Sequence, residues 1–342
     1  MNENEIKVYE INKPDVIYEL LSRIVSNPYQ DYNAFKKEIE HMIYQNKDQL
    51  TDFINLCNTI ITDRQNQSNI HHIKNCVIDK IIPIFDPENP VDSKYEKKKT
   101  FIAEGFLLLF SICTKSPILG YETRNNGDMY QDVYSQSKYA DTQTQKAAGD
   151  LYFHNDRTAH EIRADILCLL GMRVNPKNHS YTGYVDGTSL LENISKEYQQ
   201  VLRGPYFTTP FDLYSSDSNA LQENSGKHSI LFNDHSFRYY DTRTTYATDI
   251  NSPESTIAKE ALLSLKDAIQ LTKKHYIKIN TSDLLCIPNQ EGLHCRINID
   301  ISSEEDHKKR YLLKTYNFNS IESCSKYAGS FFKNTAGLVK ET

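Results

Sequence analysis

The chain has 342 residues, with 39 Lys and Arg against 45 Asp and Glu for a net charge of −6, and its basic residues are dispersed. That balance argues against a broad positive face tracking a nucleic-acid backbone. The strongest apolar run, 106–113, is too short to span a bilayer, and Met1-Asn2-Glu3-Asn4-Glu5 is too polar for a signal peptide, so neither membrane nor secretion is expected. Seven cysteines, an odd number without CxxC spacing, fit a reducing cytoplasm.

In chain order, residues 14–65 carry apolar side chains at helical spacing, from Val16, Ile17, Leu20 and Leu21 through Phe35, Ile39 and Ile43 to Phe53 and Ile54, and Pro14-Asp15 suits a helix start. Residues 76–85 are β-branched and end at Asp86-Pro87, which predicts a strand and then a loop. A buried helix is expected over 95–114, with Lys97-Lys98-Lys99 as its solvated start. Residues 122–149 are polar and loop-rich, which fits a lid that orders over a substrate. The apolar triplet Leu151-Tyr152-Phe153 predicts a strand running into His154, and 164–173 a second strand. Residues 175–188 read as a turn-rich connector before a helix near Ser189. A second polar excursion covers 204–226, with strands expected at 229–232 and 237–241. Ile257, Ala261, Leu262, Leu265 and Ile269 give the apolar face of a helix over 253–274. A short apolar strand then turns into His294, and a last strand follows Arg310. The chain has no internal repeat and no low-complexity domain.

The chemistry concentrates in His154-Asn155-Asp156, where a strand end offers an imidazole and a carboxylate to one metal, with His294 as the candidate third ligand. Two histidines and a carboxylate on one face leave the opposite face of an Fe(II) open to a co-substrate and O2. Arg310 follows between a charged turn and an apolar strand, where a guanidinium can clamp a carboxylate through two parallel hydrogen bonds.

This ordered set resembles the clavaminate synthase-like branch of the TauD/TfdA-related Fe(II)/2-oxoglutarate dioxygenases, nearest in pattern to hydroxylases of free lysine, arginine and asparagine. The similarity covers roughly residues 75–330. It rests on Thr142-Gln143-Thr144, the segment 150–156, His160, the strand 164–173, Phe237-Arg238-Tyr239-Tyr240-Asp241, and Arg310 with Lys314 four residues on. The chain departs from the family in three places. Asp156 stands where Glu is common, an equally good oxygen ligand. No glutamine lies in 121–127, about thirty residues before His154, where the family contacts a substrate amino group. Arg157 follows the metal carboxylate, where an acidic or neutral residue is usual.

The resemblance implies an α+β fold with a mainly β core, a double-stranded β-helix (jelly-roll, cupin-like) barrel over 75–342 with flanking helices. Residues 1–74 form a helical extension packed on that core or offering a surface for a homo-oligomer, and 122–149 and 204–226 supply lid loops. It implies Fe(II) held by His154, Asp156 and His294, 2-oxoglutarate held by Arg310 and Thr144, and O2 as oxidant. It places Asp241, Gln143, Arg238, Lys314 and Arg157 near a small-molecule substrate. The implied reaction hydroxylates an unactivated C–H of a small amino acid or amino-acid-derived metabolite and releases succinate and CO2. Two alternatives stand beside it: hydroxylation, desaturation or cyclisation of a larger or carrier-bound natural-product intermediate, and a non-catalytic scaffold on the same fold. For His160 and His307 the structural reading is preferred, and Asp234 is a weaker candidate than Asp241.

Overall fold

The computed structural model describes residues 6–66, 70–218, 224–247 and 252–340. Its core is strand-rich, in a mixed α+β arrangement, and two sheets position the site. The larger sheet has nine strands, with Ile70–Lys74, Leu284–Pro288, Ile166–Arg173 and Tyr311–Asn317 side by side at its centre. The smaller has four, in the order His275–Ile277, His179–Asp186, Gly292–Asp300 and Leu151–His154.

Alternation along the central strands explains their near-continuous apolar sequence, because both faces of the large sheet are covered. Ile166, Cys168, Leu170 and Met172 point outward to the helices, as do Leu284, Cys286, Tyr311 and Leu313. Their neighbours Leu167, Leu169, Leu285, Ile287, Leu312 and Tyr316 point inward, where they pack with Tyr184 and Ile277 of the small sheet. Lys314 has the parity of Leu312 and Tyr316, so the sequence period alone turns it into the space between the sheets.

The outer wall is built by Pro14–Leu21, Tyr32–Gln45, Thr51–Gln65 and Ile102–Cys113. Pro14 at the first helical position and Asp31, whose carboxylate accepts from the Ala34 amide, set two of the starts. These helices share one apolar cluster with the large sheet, and strand Ile6–Glu10 pairs in parallel with Ile70–Lys74 at that sheet's edge. The outer face of the small sheet is covered by helix Ser252–Leu271, through Ala258, Ala261, Leu265 and Ile269 against Val185 and Leu293.

Four sequence expectations change. Residues 76–85 form no strand: Ile81 and Ile84 are exposed, Pro83 lacks an amide donor, and the buried Asp79 takes the amides of Ile102 and Ala103. The strand in this part of the chain is Ile70–Lys74 instead, paired with Ile6–Glu10 on one side and Leu284–Cys286 on the other, which its His71-His72 pair disguises. The expected helix 95–114 is two helices, Pro90–Lys97 and Ile102–Cys113, and Lys98 between them is buried rather than solvated, paired with Asp79 at 3.2 Å and Glu104 at 2.8 Å. The expected connector 175–188 contains the strand His179–Asp186, whose alternating Ser180, Thr182 and Tyr184 lack a conventional apolar face. Within the expected lid 122–149, Gln131–Tyr134 is a buried strand paired with Tyr311–Lys314. Part of the other expected lid, 219–223, lies outside the described residues. No described helix is long and apolar enough to cross a membrane, and all seven cysteines are unpaired.

Candidate metal centre and flanking cavities

Strand register brings the two histidines together: His294 faces His154 across the pair Gly292–Asp300 and Leu151–His154, with ring centroids 4.2 Å apart. The register shifts between that pair and Arg296 opposite Leu151, a bulge that turns both Leu151 and His154 toward the interior. The chain then leaves the strand, and Asn155 secures the departure. Its Nδ2 donates to the carbonyls of Asn289 and Gly292, the latter at 2.8 Å, and its Oδ1 accepts the Tyr239 amide at 2.8 Å. Asn289 reciprocates by accepting the Asp156 amide at 2.8 Å. Two buried asparagines therefore fix the turn that returns Asp156 beside the imidazoles.

Asp156 Oδ1 lies 3.3 Å from His154 Nε2 and 3.7 Å from His294 Nε2, and the three ligand atoms all fall within 4.8 Å of one another. The Lys314 ammonium ties up the other carboxylate oxygen at 2.5 Å, which leaves Oδ1 facing the imidazoles. Burial alone would raise the Asp156 pKa, yet Lys314 and the two histidines hold it well below the usual carboxylate range. His154 is pushed down to about 4, first by burial and then by the neighbouring His294. Its Nδ1 donates to the Tyr152 carbonyl at 2.7 Å, leaving Nε2 with its lone pair inward. A neutral imidazole and an ionised carboxylate, already deprotonated at neutral pH, are the forms in which these groups bind a metal.

Two cavities meet at His154 and Asp156. One, of about 470 Å³, lies between the sheets and runs past Leu167, Leu169 and Leu312 to Arg296 and Arg310. Arg296 donates to the carbonyls of Gly149 and Ala147 at 2.8 and 2.6 Å. The Arg310 side chain has no such partner: its Nε is buried and unbonded, and burial followed by the charge of Arg296 lowers its pKa to about 9. The second cavity, of about 460 Å³, is lined by Arg124, Arg157, His160, Asp212, Tyr240 and Arg243 among others.

Of the residues singled out in the sequence, His154, Asp156, His294, Lys314 and Arg310 border the inter-sheet cavity, and Arg157 and His160 border the other. Arg157 adopts the left-handed conformation, with φ of 62°, just after Asp156, and lies over the Tyr121 ring at 3.8 Å. Thr144, Gln143, Arg238 and Asp241 line neither cavity. Thr144 accepts the Lys146 amide at 3.2 Å, and Gln143 braces the metal strand by accepting from Tyr152. Arg238 donates to the carbonyls of Thr158 and Ala159, and Asp241 accepts from the Tyr239 hydroxyl. His307, expected in a loop, ends helix Glu304–Lys308, with Nε2 2.9 Å from the Ala148 carbonyl. The exposed Asp234 offers its carbonyl to Arg203. Sequence reasoning missed Asn155 and Asn289 as positioning groups, and Arg124, Asp212 and Arg243 as lining groups. Only the amide at the central position of His-x-Asp was a signal for any of these.

Two buried imidazoles and a carboxylate, gathered where two cavities meet, form a candidate metal centre of the kind a metal-dependent enzyme uses. The chain belongs to the taurine catabolism dioxygenase TauD/TfdA family, whose match spans residues 104–316. Solved structures agree in fold. An asparagine oxygenase in complex with Fe(II), 2S,3S-3-hydroxyasparagine and succinate superposes with a TM-score of 0.78 at 16% identity, over 98% of this chain and 99% of its own. The non-heme iron oxygenase OrfP with Fe, succinate and (3S)-hydroxy-L-Arg superposes with a TM-score of 0.73 at 18% identity, over 97% and 99%. OrfP with Fe and alpha-ketoglutaric acid gives 0.70 at 16%, over 97% and 99%. No curated protein sequence matches the chain.

Proposed function

We propose that the chain is an Fe(II)/2-oxoglutarate-dependent oxygenase that hydroxylates an unactivated C–H of a small amino acid or amino-acid-derived metabolite, releasing succinate and CO2. The observation that carries this reading is the meeting of two cavities at His154, Asp156 and His294, with a buried, unbonded guanidinium nitrogen along one of them. The solved structures that share the fold support it, since their complexes hold iron with succinate and hydroxylated asparagine or arginine. On this reading the two sheets are the faces of a double-stranded β-helix.

Bound iron supplies the redox chemistry that couples decarboxylation of 2-oxoglutarate to attack on a substrate C–H by O2. The residues of the chain supply the rest. His154, Asp156 and His294 hold the metal from one side. Arg310 takes the far carboxylate of 2-oxoglutarate, where an uncompensated cation in an apolar slot gains most from an anion. Leu167, Leu169 and Leu312 keep water away from that end. Lys314 holds Asp156 ionised and fixed through one oxygen. Retaining a carboxylate ligand favours hydroxylation over halogenation, which needs that position vacated.

The test is Fe(II)-dependent conversion of 2-oxoglutarate to succinate. Conversion that needs Fe(II) and disappears in Asp156→Ala is expected; conversion that survives the substitution, or protein that binds no iron, refutes the proposal.

A further inference from the structure

The far end of the inter-sheet cavity carries one guanidinium more than the reaction above has used. Arg296 lies two residues beyond His294 on strand Gly292–Asp300, so the strand's period turns both side chains to the same face, and both line that cavity. Arg310 lines it too. The same two arginines also line a smaller cavity of about 230 Å³ with Tyr134, Ala147, Ala148 and His307, so the pair stands between the two spaces.

Neither guanidinium meets a carboxylate there. Arg296 is braced rather than neutralised: Nε and Nη2 donate to the carbonyls of Gly149 and Ala147 at 2.8 and 2.6 Å, which fixes the plane of the fork and leaves Nη1 for a ligand. Arg310 keeps its buried, unbonded Nε. Among the described residues lining either cavity the only carboxylate is that of Asp156, and Lys314 holds it at 2.5 Å. Asp150, whose charge reaches Arg296, is exposed, and its carboxylate accepts the Asn298 amide at 2.8 Å. Two cations drawn partly out of water without a carboxylate between them are costly until an anion arrives. Leu167, Leu169 and Leu312 line the approach, so the anion that fits is the end of an apolar stem.

We infer that Arg296 is a second binding residue for the distal carboxylate of 2-oxoglutarate, sharing it with Arg310. This rests on the inter-sheet cavity being the co-substrate site of the oxygenase proposed above. It makes the choice of a dicarboxylic keto acid over a monocarboxylic one the work of two guanidiniums, one of them anchored to residues 147–149 just ahead of the metal strand.

The experiment is calorimetric titration of the anaerobic, Fe(II)-loaded protein with 2-oxoglutarate and with 2-oxopentanoate, which keeps the keto-acid end and the chain length but carries a methyl group in place of the distal carboxylate. Arg296→Gln is expected to weaken 2-oxoglutarate about tenfold or more, the worth of one charge-assisted contact, and 2-oxopentanoate much less. In Arg310→Gln, 2-oxoglutarate is expected to remain the tighter ligand, because Arg296 still offers a cation to its far end. Equal losses for the two keto acids in Arg296→Gln would make the residue a brace for 147–149 alone and overturn the inference. Unchanged 2-oxoglutarate affinity in that variant overturns it too, as does equal affinity for the two keto acids in Arg310→Gln. Should Arg296→Gln fail to fold, the comparison in Arg310→Gln decides by itself. Failure of the unsubstituted protein to bind 2-oxoglutarate overturns the proposed function and this inference together, whereas the preceding results, obtained with that binding intact, overturn this inference alone.

Discussion

At the scale of single residues the account turns on how charge is left over. Lys314 is neutralised by Asp156, whereas Arg310, just before the same strand and bordering the same cavity, keeps a buried unbonded nitrogen. Arg310→Gln is therefore expected to raise the KM for 2-oxoglutarate about tenfold or more, the size of one lost charge-assisted contact, with iron binding retained. Steady-state kinetics at saturating substrate and a metal assay check both halves. The His-x-Asp triplet was legible because its chemistry sits in consecutive residues, and His294 because a strand leads into it. Arg124, Asp212 and Arg243 were not, because no periodicity links them and only the fold gathers them into one cavity. Thr144, Gln143, Arg238 and Asp241 lie close in sequence to residues of the site, yet their side chains are engaged in local bonds outside both cavities.

At the scale of elements, the turn after the metal strand depends on Asn155, which satisfies two carbonyls and one amide in a fully buried position. Asn155→Ala strands those groups, and unfolding monitored by denaturant is expected to show a loss of about 2–3 kcal/mol or more. Metal affinity should fall with it, because the Asp156 backbone is no longer held. Strands buried on both faces were the easiest elements to foresee, since their apolar runs are continuous. His179–Asp186 was hidden by Ser, Thr and Tyr at alternate positions, and Ile70–Lys74 by its paired histidines. Residues 76–85 show the converse: β-branched composition makes a strand only where a partner takes its backbone groups, and here Asp79 turned to the helix Ile102–Cys113 instead.

For the whole molecule, buried neutral histidines set a pH dependence. Besides His154, His228 is pushed down to about 3, first by burial and then by Arg238. Its Nδ1 donates to the Ser229 carbonyl at 2.9 Å, and in the neutral ring its Nε2 accepts the Thr209 hydroxyl at 2.9 Å. An unfolded chain takes up that proton near 6.5, so between about 6.5 and 3 the unfolded state binds more protons than the fold. Stability is therefore full above about pH 6.5 and falls as pH drops through the window. The urea midpoint of the metal-free protein is expected to decrease from pH 7.5 to pH 5, and His228→Gln is expected to flatten that slope. An unchanged slope in the variant would remove His228 from the explanation.

The most direct measurement is the fate of dioxygen. The Fe(II)-loaded protein is incubated with 2-oxoglutarate, pools of free amino acids and isotopically heavy oxygen gas, and product and succinate are weighed by mass spectrometry beside an Asp156→Ala control. The account predicts one heavy oxygen in a hydroxylated amino acid and one in succinate, with both absent from the control. Succinate formed without a labelled amino-acid product from any pool, or label that persists in Asp156→Ala, would contradict it.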